Sequence, residues 1–505
     1  MKIKLNFFPV GIIALALLYS CGNKDLTSTG KSSSTTGWSY NDPSNGGFEV
    51  KNAVEQETGP GLVLIEGGTF TMGRVQDDVM YDWNAVPRRV TVSSFYMDET
   101  EVKNIDYREY IYWLERIFSP DVDPQRNVVR RALPDTLVWR DPMAYNEPYV
   151  EYYFRHPTFN QYPVVGVNWL QANDYCIWRT DRVNEMLLVN EGIIEMSTDQ
   201  KGENHFNTES FLLGIYKPTY RNAIESLNPN VDTRDLKIED GLLLPKYRLP
   251  TEAEWEFAAF ALRGNTVDEL VWERRIYPWN GHNVRNDSPR NMGQMRANFQ
   301  RGKGDMMGVA GALNDAGSIT TPVRSYWPND YGLYCMAGNV NEWVADVYRP
   351  LSYQDVNEFN PYRGNQFEKI YRDPANDNLP QIDSLGRVIT VPITESDAEN
   401  RFNYRKSDYR NYLDGDLNST MFFSETDTTS EVFKKGSSNM YVNDEYEKSS
   451  LINDNVRVYK GGSWKDRAYW LSPGTRRFLL ETESRDDIGF RCAMTRVGTP
   501  TGIGF

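Results

Sequence analysis

The stretch VYKGGSW (Val458–Trp464) opens the closing segment of the chain, and GFRCA (Gly489–Ala493) ends it. Paired glycines admit positive φ angles and the close approach of two backbones. Gly461 and Gly462 therefore predict a tight, buried crossing of the chain. The arginines between the two motifs, whose spacing lets an extended or looped chain direct guanidinium groups inward, are Arg467, Arg476 and Arg477.

The composition indicates an acidic globular protein that is rich in aromatic residues. Of 505 residues, 40% are hydrophobic, 25% are charged and 13% are aromatic. Thirty-one Tyr and thirteen Trp suit a loop-rich fold in which large rings fill an irregular core. A formal net charge of -15 repels phosphate backbones, so we do not expect a nucleic-acid partner.

The N-terminus is typical of an export signal. Lys2 and Lys4 precede an apolar run, Phe7–Leu18, that is too short to span a bilayer as a stable helix. Cys21 follows small residues and resembles the lipobox cysteine of bacterial lipoproteins. This predicts a signal peptide over residues 1–20 and a mature protein tethered through acylated Cys21. A simple secretory signal with an incidental cysteine is the alternative.

Residues 21–60 are rich in Ser, Thr, Gly and Asn, a composition that cannot bury enough apolar surface to order itself. We predict a flexible stalk there, followed by one folded body over 61–496 and a short tail over 497–505. The body begins with a β-rich run that a Gly67-Gly68 turn interrupts.

Further elements follow from local patterns. Tyr162–Trp169 predicts a strand and Leu170–Asn184 a helix. Thr251 and Glu254 form a capping box, so a helix should begin there. Two long polar segments, at about 186–246 and 350–455, separate the motifs and are predicted to be loops over the core.

Common catalytic and metal-binding patterns are missing from the sequence. The three histidines, His156, His205 and His282, are far apart and lack ligand spacing, which disfavours a zinc site or a Ser-His-Asp triad. No GxSxG, HExxH or Walker-type motif occurs.

The motifs together resemble the formylglycine-generating enzyme (sulfatase-modifying factor) family, whose members end in a GGS-aromatic run followed by GFRCA. The blocks that carry the resemblance are Gly61–Thr100, Tyr162–Arg179, Arg248–Tyr348 and Val458–Arg496. The resemblance implies an irregular, loop-rich α+β fold that is distantly related to C-type lectins, with the two long segments as insertions.

The catalytic residues of that family are not kept. Its oxidase uses two cysteines in the closing segment, where this chain has Asp466 and Leu471. A carboxylate is a hard donor and an isobutyl group is no donor, so neither residue suits Cu(I). We therefore expect no copper and no catalysis at this former active site, to which Trp464 and Arg476 also belong. Asp466 is expected to form an ion pair with one of the three arginines.

The family resemblance also implies a disulfide bond between Cys176 and Cys492, in a compartment where disulfides are permitted. Two buried free thiols are the alternative. Cys335 would stay unpaired and lies where the family usually has Asn.

Calcium is the one cofactor that the resemblance leaves open. A first site would use oxygens of Asn298, Phe299, Asp305 and Met307, and a second would use Gly338, Val340 and Glu342. Calcium prefers six to eight oxygen ligands, and Cys335 in place of Asn weakens the second site. The alternative is that these are turn residues that bond the backbone.

The lipobox, the insertions and the closing segment together resemble gliding-motility lipoproteins associated with type IX secretion. We expect a scaffold at the outer membrane, on its periplasmic face, that binds other lipoproteins and outer-membrane components of that machinery. An active formylglycine-generating-type oxidase is one alternative. A module that binds a peptide or glycan in the old substrate cleft is another.

Overall fold

The computed structural model describes residues 30–52, 55–74, 76, 78–142, 145–222, 224–261, 275–300, 319–348, 362, 364, 368–374, 378–392 and 455–498. Its helices are α1 (Asn104–Ile117), α2 (Asn127–Ala132), α3 (Glu147–Tyr152), α4 (Trp169–Asn190), α5 (Thr208–Leu212) and α6 (Glu252–Phe260). Its strands are β1 (Leu62–Ile65), β2 (Gly68–Met72), β3 (Arg88–Val92), β4 (Phe95–Asp98), β5 (Ile224–Glu225), β6 (Thr233–Arg234), β7 (Tyr247–Arg248), β8 (Asn341–Val347), β9 (Glu368–Ile370), β10 (Arg372–Asp373), β11 (Leu379–Pro380), β12 (Thr390–Pro392), β13 (Val456–Lys460), β14 (Arg477–Leu480), β15 (Ile488–Gly489) and β16 (Ala493–Thr495).

Two four-stranded sheets organise these elements. The first has the order β1-β4-β16-β7 and is antiparallel throughout. The second has the order β14-β13-β8-β15, in which β15 runs parallel to β8. Because the closing segment supplies β13 to β16, it contributes strands to both sheets. This explains why its sequence decides the fold.

Both faces of the first sheet are covered. Side chains alternate along a strand, so Tyr96 and Met494 enter the core beside α1 and α4, while Phe95 and Met97 enter the core beside α6. Trp343 is fully buried, as expected for large rings that fill an irregular core. The mixed, loop-rich α+β class predicted from the sequence is confirmed.

Local sequence signals placed several elements correctly. β1 and β2 flank the predicted Gly-Gly turn, and α4 covers the predicted helix and extends beyond it at both ends. At α6, Thr251 accepts from the backbone N–H of Glu254, and the Glu254 carboxylate accepts from the backbone N–H of Thr251. The predicted capping box is therefore confirmed.

The strand predicted for Tyr162–Trp169 is wrong. The backbone N–H of Val164 donates to Val102, whereas that of Gly166 donates to Arg485. The segment thus passes between two separate neighbours and does not pair along one strand.

Part of the predicted flexible stalk contacts the rest of the protein. Glu49 forms an ion pair with Arg234 at 2.6 Å, and the Gln56 side chain accepts from the backbone N–H of Val497 at 2.7 Å. These contacts attach residues near the start of the body to its surface. Cys21 and the predicted signal peptide lie outside the described residues.

The two predicted insertions are described in part. The first contributes α5 and the β5–β6 pair, and the second contributes short hairpins within 368–374 and 378–392. Within the described part of the chain, no helix has the length and apolar character needed to cross a membrane.

Candidate functional site

The crossing predicted at Gly461 and Gly462 is present. Their φ angles are 103° and 69°. A Cβ atom on Gly461 would lie 3.1 Å from the Trp255 ring, and one on Gly462 would lie 2.9 Å from the backbone oxygen of Trp470. Only glycine combines this conformation with this proximity.

Asp466 follows the crossing, and its carboxylate is surrounded by donors. Arg477 donates from Nη1 to Oδ1 over 2.7 Å and from Nη2 to Oδ2 over 2.6 Å. The backbone N–H and the hydroxyl of Ser463 donate to Oδ2 over 2.9 and 2.7 Å, and Asn341 Nδ2 donates over 3.3 Å. Burial alone would raise the pKa of Asp466, but Arg477 outweighs it and holds the pKa below its ordinary value. The predicted ion pair is confirmed, with Arg477 as the partner.

Replacing Asp466 with Ala is therefore expected to lower the free energy of unfolding by about 2–3 kcal/mol, because the mostly buried Arg477 guanidinium loses its carboxylate. Denaturant unfolding monitored by tryptophan fluorescence measures the change. The control is Glu147→Ala, which breaks the exposed Arg140–Glu147 pair and should lower the free energy of unfolding far less, because solvent screens the pair. Equal losses in the two variants would contradict the role assigned to Asp466.

Leu471 and Trp464, the other predicted residues of this region, are buried in separate clusters. Leu471 is fully buried and packs in a cluster with Phe299 and Met295. Trp464 stacks on Trp139 with ring centroids 6.1 Å apart. Together with the ion-paired Asp466, these side chains occupy the positions at which the family resemblance places the former active site.

Arg476 belongs to a different charge cluster. Its Nε lies 2.8 Å from Glu252 Oε1, and Lys460 Nζ donates to Glu252 Oε1 over 3.2 Å and to Glu256 Oε2 over 2.9 Å. All four side chains are buried. Burial lowers the pKa of Arg476, but the adjacent Glu252 carboxylate produces a net rise. Arg476 is thus held by Glu252 of α6, whereas Asp466 pairs with Arg477.

A groove of about 600 Å³ opens beside this cluster, lined mainly by residues 78–87 and 469–476 together with Arg74. Trp470 forms part of its wall and is half-buried. The guanidinium carbon of Arg477 lies 4.5 Å from the Trp470 ring centroid and holds the ring against the ion pair.

The loop 78–86, termed here the aromatic loop, borders the groove. Asp78 Oδ2 accepts from the backbone N–H of Trp83 over 2.9 Å, and its Oδ1 accepts from the Tyr469 hydroxyl over 2.8 Å. Tyr81 and Trp83 have φ angles of 57° and 51°, in the left-handed region that large side chains rarely adopt. Their side chains are nevertheless 75% and 71% exposed.

Sequence patterns did not predict this loop. The available signal was a run of apolar and aromatic residues, Val79–Tyr81 and Trp83, set among acidic residues without strand or helix periodicity. Exposed aromatic residues held in strained conformations are typical of binding surfaces.

The two cysteines predicted to form a disulfide are neighbours. Their Sγ atoms lie 3.5 Å apart, and both side chains are buried thiols. The covalent bond therefore stays a prediction. Burial raises the pKa of Cys492, and the hydrogen bond with Cys176 raises it further. Cys335 is buried elsewhere and donates to the backbone oxygen of Val323 over 3.4 Å.

The carboxylate of the second predicted calcium site, Glu342, is already bonded by N–H donors. Glu342 Oε2 accepts from Trp255 Nε1 over 2.7 Å and from Arg491 Nε over 2.6 Å, and Oε1 accepts from Arg491 Nη2 over 2.6 Å. A carboxylate that is bonded by three N–H groups and paired with a buried guanidinium is not placed to bind a cation. Without Glu342, the second predicted calcium site has only Gly338 and Val340 as ligands.

The first predicted calcium site is described only in part. Asn298 and Phe299 are buried; the Asn298 side chain donates to the backbone oxygen of Ile319 over 2.7 Å, and its own backbone oxygen accepts from Asn339 over 2.9 Å. Asp305 and Met307 lie outside the described residues. Among the residues that the structure covers, no group of three or more His, Cys, Asp or Glu could hold a metal ion.

Comparison with known families gives a match over most of the chain. The sulfatase-modifying factor enzyme 1-like domain matches residues 47–383. Formylglycine-generating enzyme of Mus musculus is 26% identical over 321 residues, which are 59% of this chain and 61% of that protein. Inactive C-alpha-formylglycine-generating enzyme 2 of Mus musculus is 26% identical over 320 residues, which are 59% of this chain and 72% of that protein.

The chain thus spans about three-fifths of the length of the first of these relatives, and one relative is named an enzyme whereas the other is named inactive. Among solved structures, PvdO from Pseudomonas aeruginosa has a TM-score of 0.39 at 15% identity, covering 86% of this chain and 93% of that one. Treponema denticola variable protein 1 has a TM-score of 0.35 at 17% identity, covering 86% and 94%.

Proposed function

The chain belongs to the sulfatase-modifying factor enzyme 1-like family, and we propose that it is a non-catalytic member that serves as a scaffold. In this proposal it is a lipoprotein anchored through Cys21 at the periplasmic face of the outer membrane. Its partners are other lipoproteins and outer-membrane components of the gliding-motility and type IX secretion machinery. The proteins it resembles in this respect are the gliding-motility lipoproteins GldJ and GldK.

The observation that carries the non-catalytic assignment is the state of the two positions where the family's oxidase has cysteines. Asp466 is ion-paired with Arg477, and Leu471 is fully buried among apolar side chains. Neither residue offers the soft sulfur donor that Cu(I) requires. A site whose groups bond or pack against one another supports a structural role.

The scaffold assignment is supported by the surface around the groove. Tyr81 and Trp83 expose large rings at its rim, and aromatic residues are enriched at protein interfaces, where they bury a large area at a low entropic cost. Asp78 fixes the loop that carries them, so little ordering is needed when a partner binds.

A second candidate function rests on the same groove. Its walls combine the Tyr469 and Trp470 rings with Arg74, whose guanidinium carbon lies 3.9 Å from the Tyr469 ring centroid. Flat rings beside charged groups suit a peptide or a glycan, so a free ligand of either kind is the alternative to a protein partner. An active oxidase is a further alternative, and the Cu(I) titration described next tests it.

The test of the non-catalytic assignment is a Cu(I) titration of the purified protein, paired with an assay for oxidation of a cysteine-containing peptide. We expect no tight Cu(I) binding at the closing segment and no turnover. The variant Asp466→Cys/Leu471→Cys is the matched control and should gain Cu(I) affinity without gaining oxidase activity. Copper-dependent turnover by the unaltered protein would overturn the proposal.

The test of the scaffold assignment is site-specific photocrosslinking in membranes. A photoreactive amino acid replaces Trp83 in one strain and Tyr145, an exposed aromatic residue that does not line the groove, in another. We expect position 83 to give discrete protein adducts whose yield falls in Tyr81→Ser, and position 145 to give none of these bands. Identical adducts from both positions would count against the aromatic loop as the partner surface.

A further inference from the structure

Residues 30–52, termed here the N-terminal unit, form a small folded unit that presents aromatic rings to solvent. Trp38 is 66% exposed and Phe48 is 68% exposed. The half-buried Tyr40, two residues after Trp38, has its ring centroid 5.9 Å from that of Phe48. Large apolar side chains that a folded unit leaves exposed near one another are typical of a contact surface.

Hydrogen bonds within the N-terminal unit order the backbone that carries these rings. The backbone N–H of Ser33 donates to the backbone oxygen of Trp38 over 2.8 Å, and that of Asn41 donates to Phe48 over 2.9 Å. The Asn41 side chain donates to the backbone oxygen of Val50 over 3.0 Å and accepts from its backbone N–H over 2.8 Å. Backbone groups that are already bonded suit contact with an apolar medium, which offers them no partner.

The N-terminal unit is also attached to the first predicted insertion. The Glu49 carboxylate accepts from the backbone N–H of Leu227 over 3.0 Å and from Arg234 Nη2 over 2.6 Å. A Cβ atom on Gly47 would lie 1.9 Å from the backbone oxygen of Leu227, so the two segments approach as closely as glycine allows. The exposed rings therefore hold a fixed position on the body of the protein.

The position of Cys21 limits the distance between this unit and the proposed lipid anchor. Eight residues separate Cys21 from Gly30, the first described residue. Even a fully extended chain covers only about 3.6 Å per residue, so the gap is at most roughly 30 Å. The backbone N–H of Tyr40 donates to the backbone oxygen of Lys31 over 2.9 Å, which brings Trp38 back beside the point where the chain enters the unit. The rings thus lie within one short tether of the bilayer.

Charge does not direct this unit to a lipid surface. Its charged side chains are two cations and two anions, namely Lys31, Lys51, Asp42 and Glu49. Arg234, beside Glu49, is also paired with Asp240 at 2.6 Å. The net charge of the whole chain is -15, which an anionic membrane repels. Contact with a bilayer must therefore depend on the rings, and tryptophan and other amphipathic rings are enriched where a membrane meets water.

We propose that the N-terminal unit rests on the bilayer that holds the lipid anchor, with the Trp38 and Phe48 rings inserted among the phospholipid headgroups. The inference rests on the proposed anchoring through Cys21. The short tether keeps the lipid surface at a high effective concentration beside the rings, which a partner in solution does not match. The contact turns one side of the body towards the membrane and so limits the orientations in which the aromatic loop meets its partners.

The test is site-specific photocrosslinking of the acylated protein in vesicles of phosphatidylethanolamine and phosphatidylglycerol. p-Benzoylphenylalanine replaces Phe48, Trp83 or Tyr145, three exposed aromatic residues, in separate preparations. We expect phospholipid adducts, identified by mass spectrometry, at position 48 and not at positions 83 and 145. Trp38→Ser should lower the yield at position 48 at least about threefold, because one of the two inserted rings is lost, whereas Tyr112→Ser, which removes an exposed ring elsewhere, should not.

A second preparation separates this inference from the lipoprotein assignment. A hexahistidine segment replaces residues 1–21 and binds the chain to vesicles that contain a nickel-chelating lipid, so the tether is kept without acylation. The adducts at position 48 should persist. Lipid adducts that are absent at position 48, equal at all three positions or unaffected by Trp38→Ser would overturn the membrane contact. An N-terminal peptide whose mass shows no acyl chain would instead overturn the lipoprotein assignment, and ring-dependent adducts on the nickel-chelating vesicles would still support the membrane contact.

Discussion

Replacing Arg491 with Met is expected to lower the free energy of unfolding by about 3–5 kcal/mol, because it leaves the Glu342 carboxylate buried without a counter-ion. Both side chains are fully buried and are joined by two hydrogen bonds of 2.6 Å. In the variant, Trp255 Nε1 would remain as a neutral donor to Glu342. One neutral hydrogen bond does not compensate a buried charge.

Neighbouring groups add to this effect. Glu101 is also buried, and burial, followed by the nearby Glu342 charge, raises its pKa well above the ordinary value, while Arg491 opposes the rise. Without Arg491 two carboxyl groups would share one apolar region. Arg491 also donates to the backbone oxygens of Asp98 and Tyr334, over 3.1 and 2.9 Å, and both acceptors would lose that donor.

Urea unfolding monitored by circular dichroism measures this change. The double variant Arg491→Met/Glu342→Met removes both charges and should recover part of the loss, since no unpaired ion remains. Arg140→Met, which breaks an exposed and solvent-screened ion pair, should lower the free energy of unfolding far less than Arg491→Met. A double variant that is no more stable than Arg491→Met would show that the loss comes from packing and not from an unpaired charge.

The sequence predicted those parts of the fold that depend on short-range chemistry. The close approach at Gly461 and Gly462 and the capping box at Thr251 need only backbone freedom and a side-chain acceptor three residues away. The sequence predicted that Asp466 forms an ion pair with one of three arginines. It could not predict that the partner is Arg477, because this depends on the β13–β14 hairpin, which brings Arg477 opposite Tyr459.

Features that depend on contacts between distant segments were not predicted. Tyr162–Trp169 has the residue types of a strand, but its backbone groups bond to partners at Val102 and Arg485, which no local pattern identifies. The Ser210 hydroxyl donates to the backbone oxygen of Gly386, although the two residues are 176 positions apart in sequence. The family resemblance implied Glu342 as a calcium ligand, whereas its partner in the structure, Arg491, lies in the closing motif.

Oxidation of Cys176 and Cys492 to a disulfide is expected to stabilise the protein by roughly 5 kcal/mol in the chain-entropy model, because the bond would close a very long loop of the unfolded chain. The two cysteines are 316 positions apart, and their Sγ atoms are already neighbours in the core beside α1 and α4. Strain in the folded state would reduce the gain. The bond would link α4 to the chain just before β16 and so hold the first sheet to its covering helix.

The measurement compares urea unfolding midpoints of air-oxidised protein with and without dithiothreitol, together with thiol counting under denaturing, non-reducing conditions. Without reductant we expect Cys335 to be the one titratable thiol among Cys176, Cys335 and Cys492, and a higher midpoint than in reductant. Cys176→Ala/Cys492→Ala should show the same midpoint in both conditions, whereas Cys335→Ala should keep the full difference, since it leaves the pair intact. Three titratable thiols in the oxidised protein, or a midpoint that reductant does not change, would mean that Cys176 and Cys492 remain buried free thiols and that packing alone joins α4 to the first sheet.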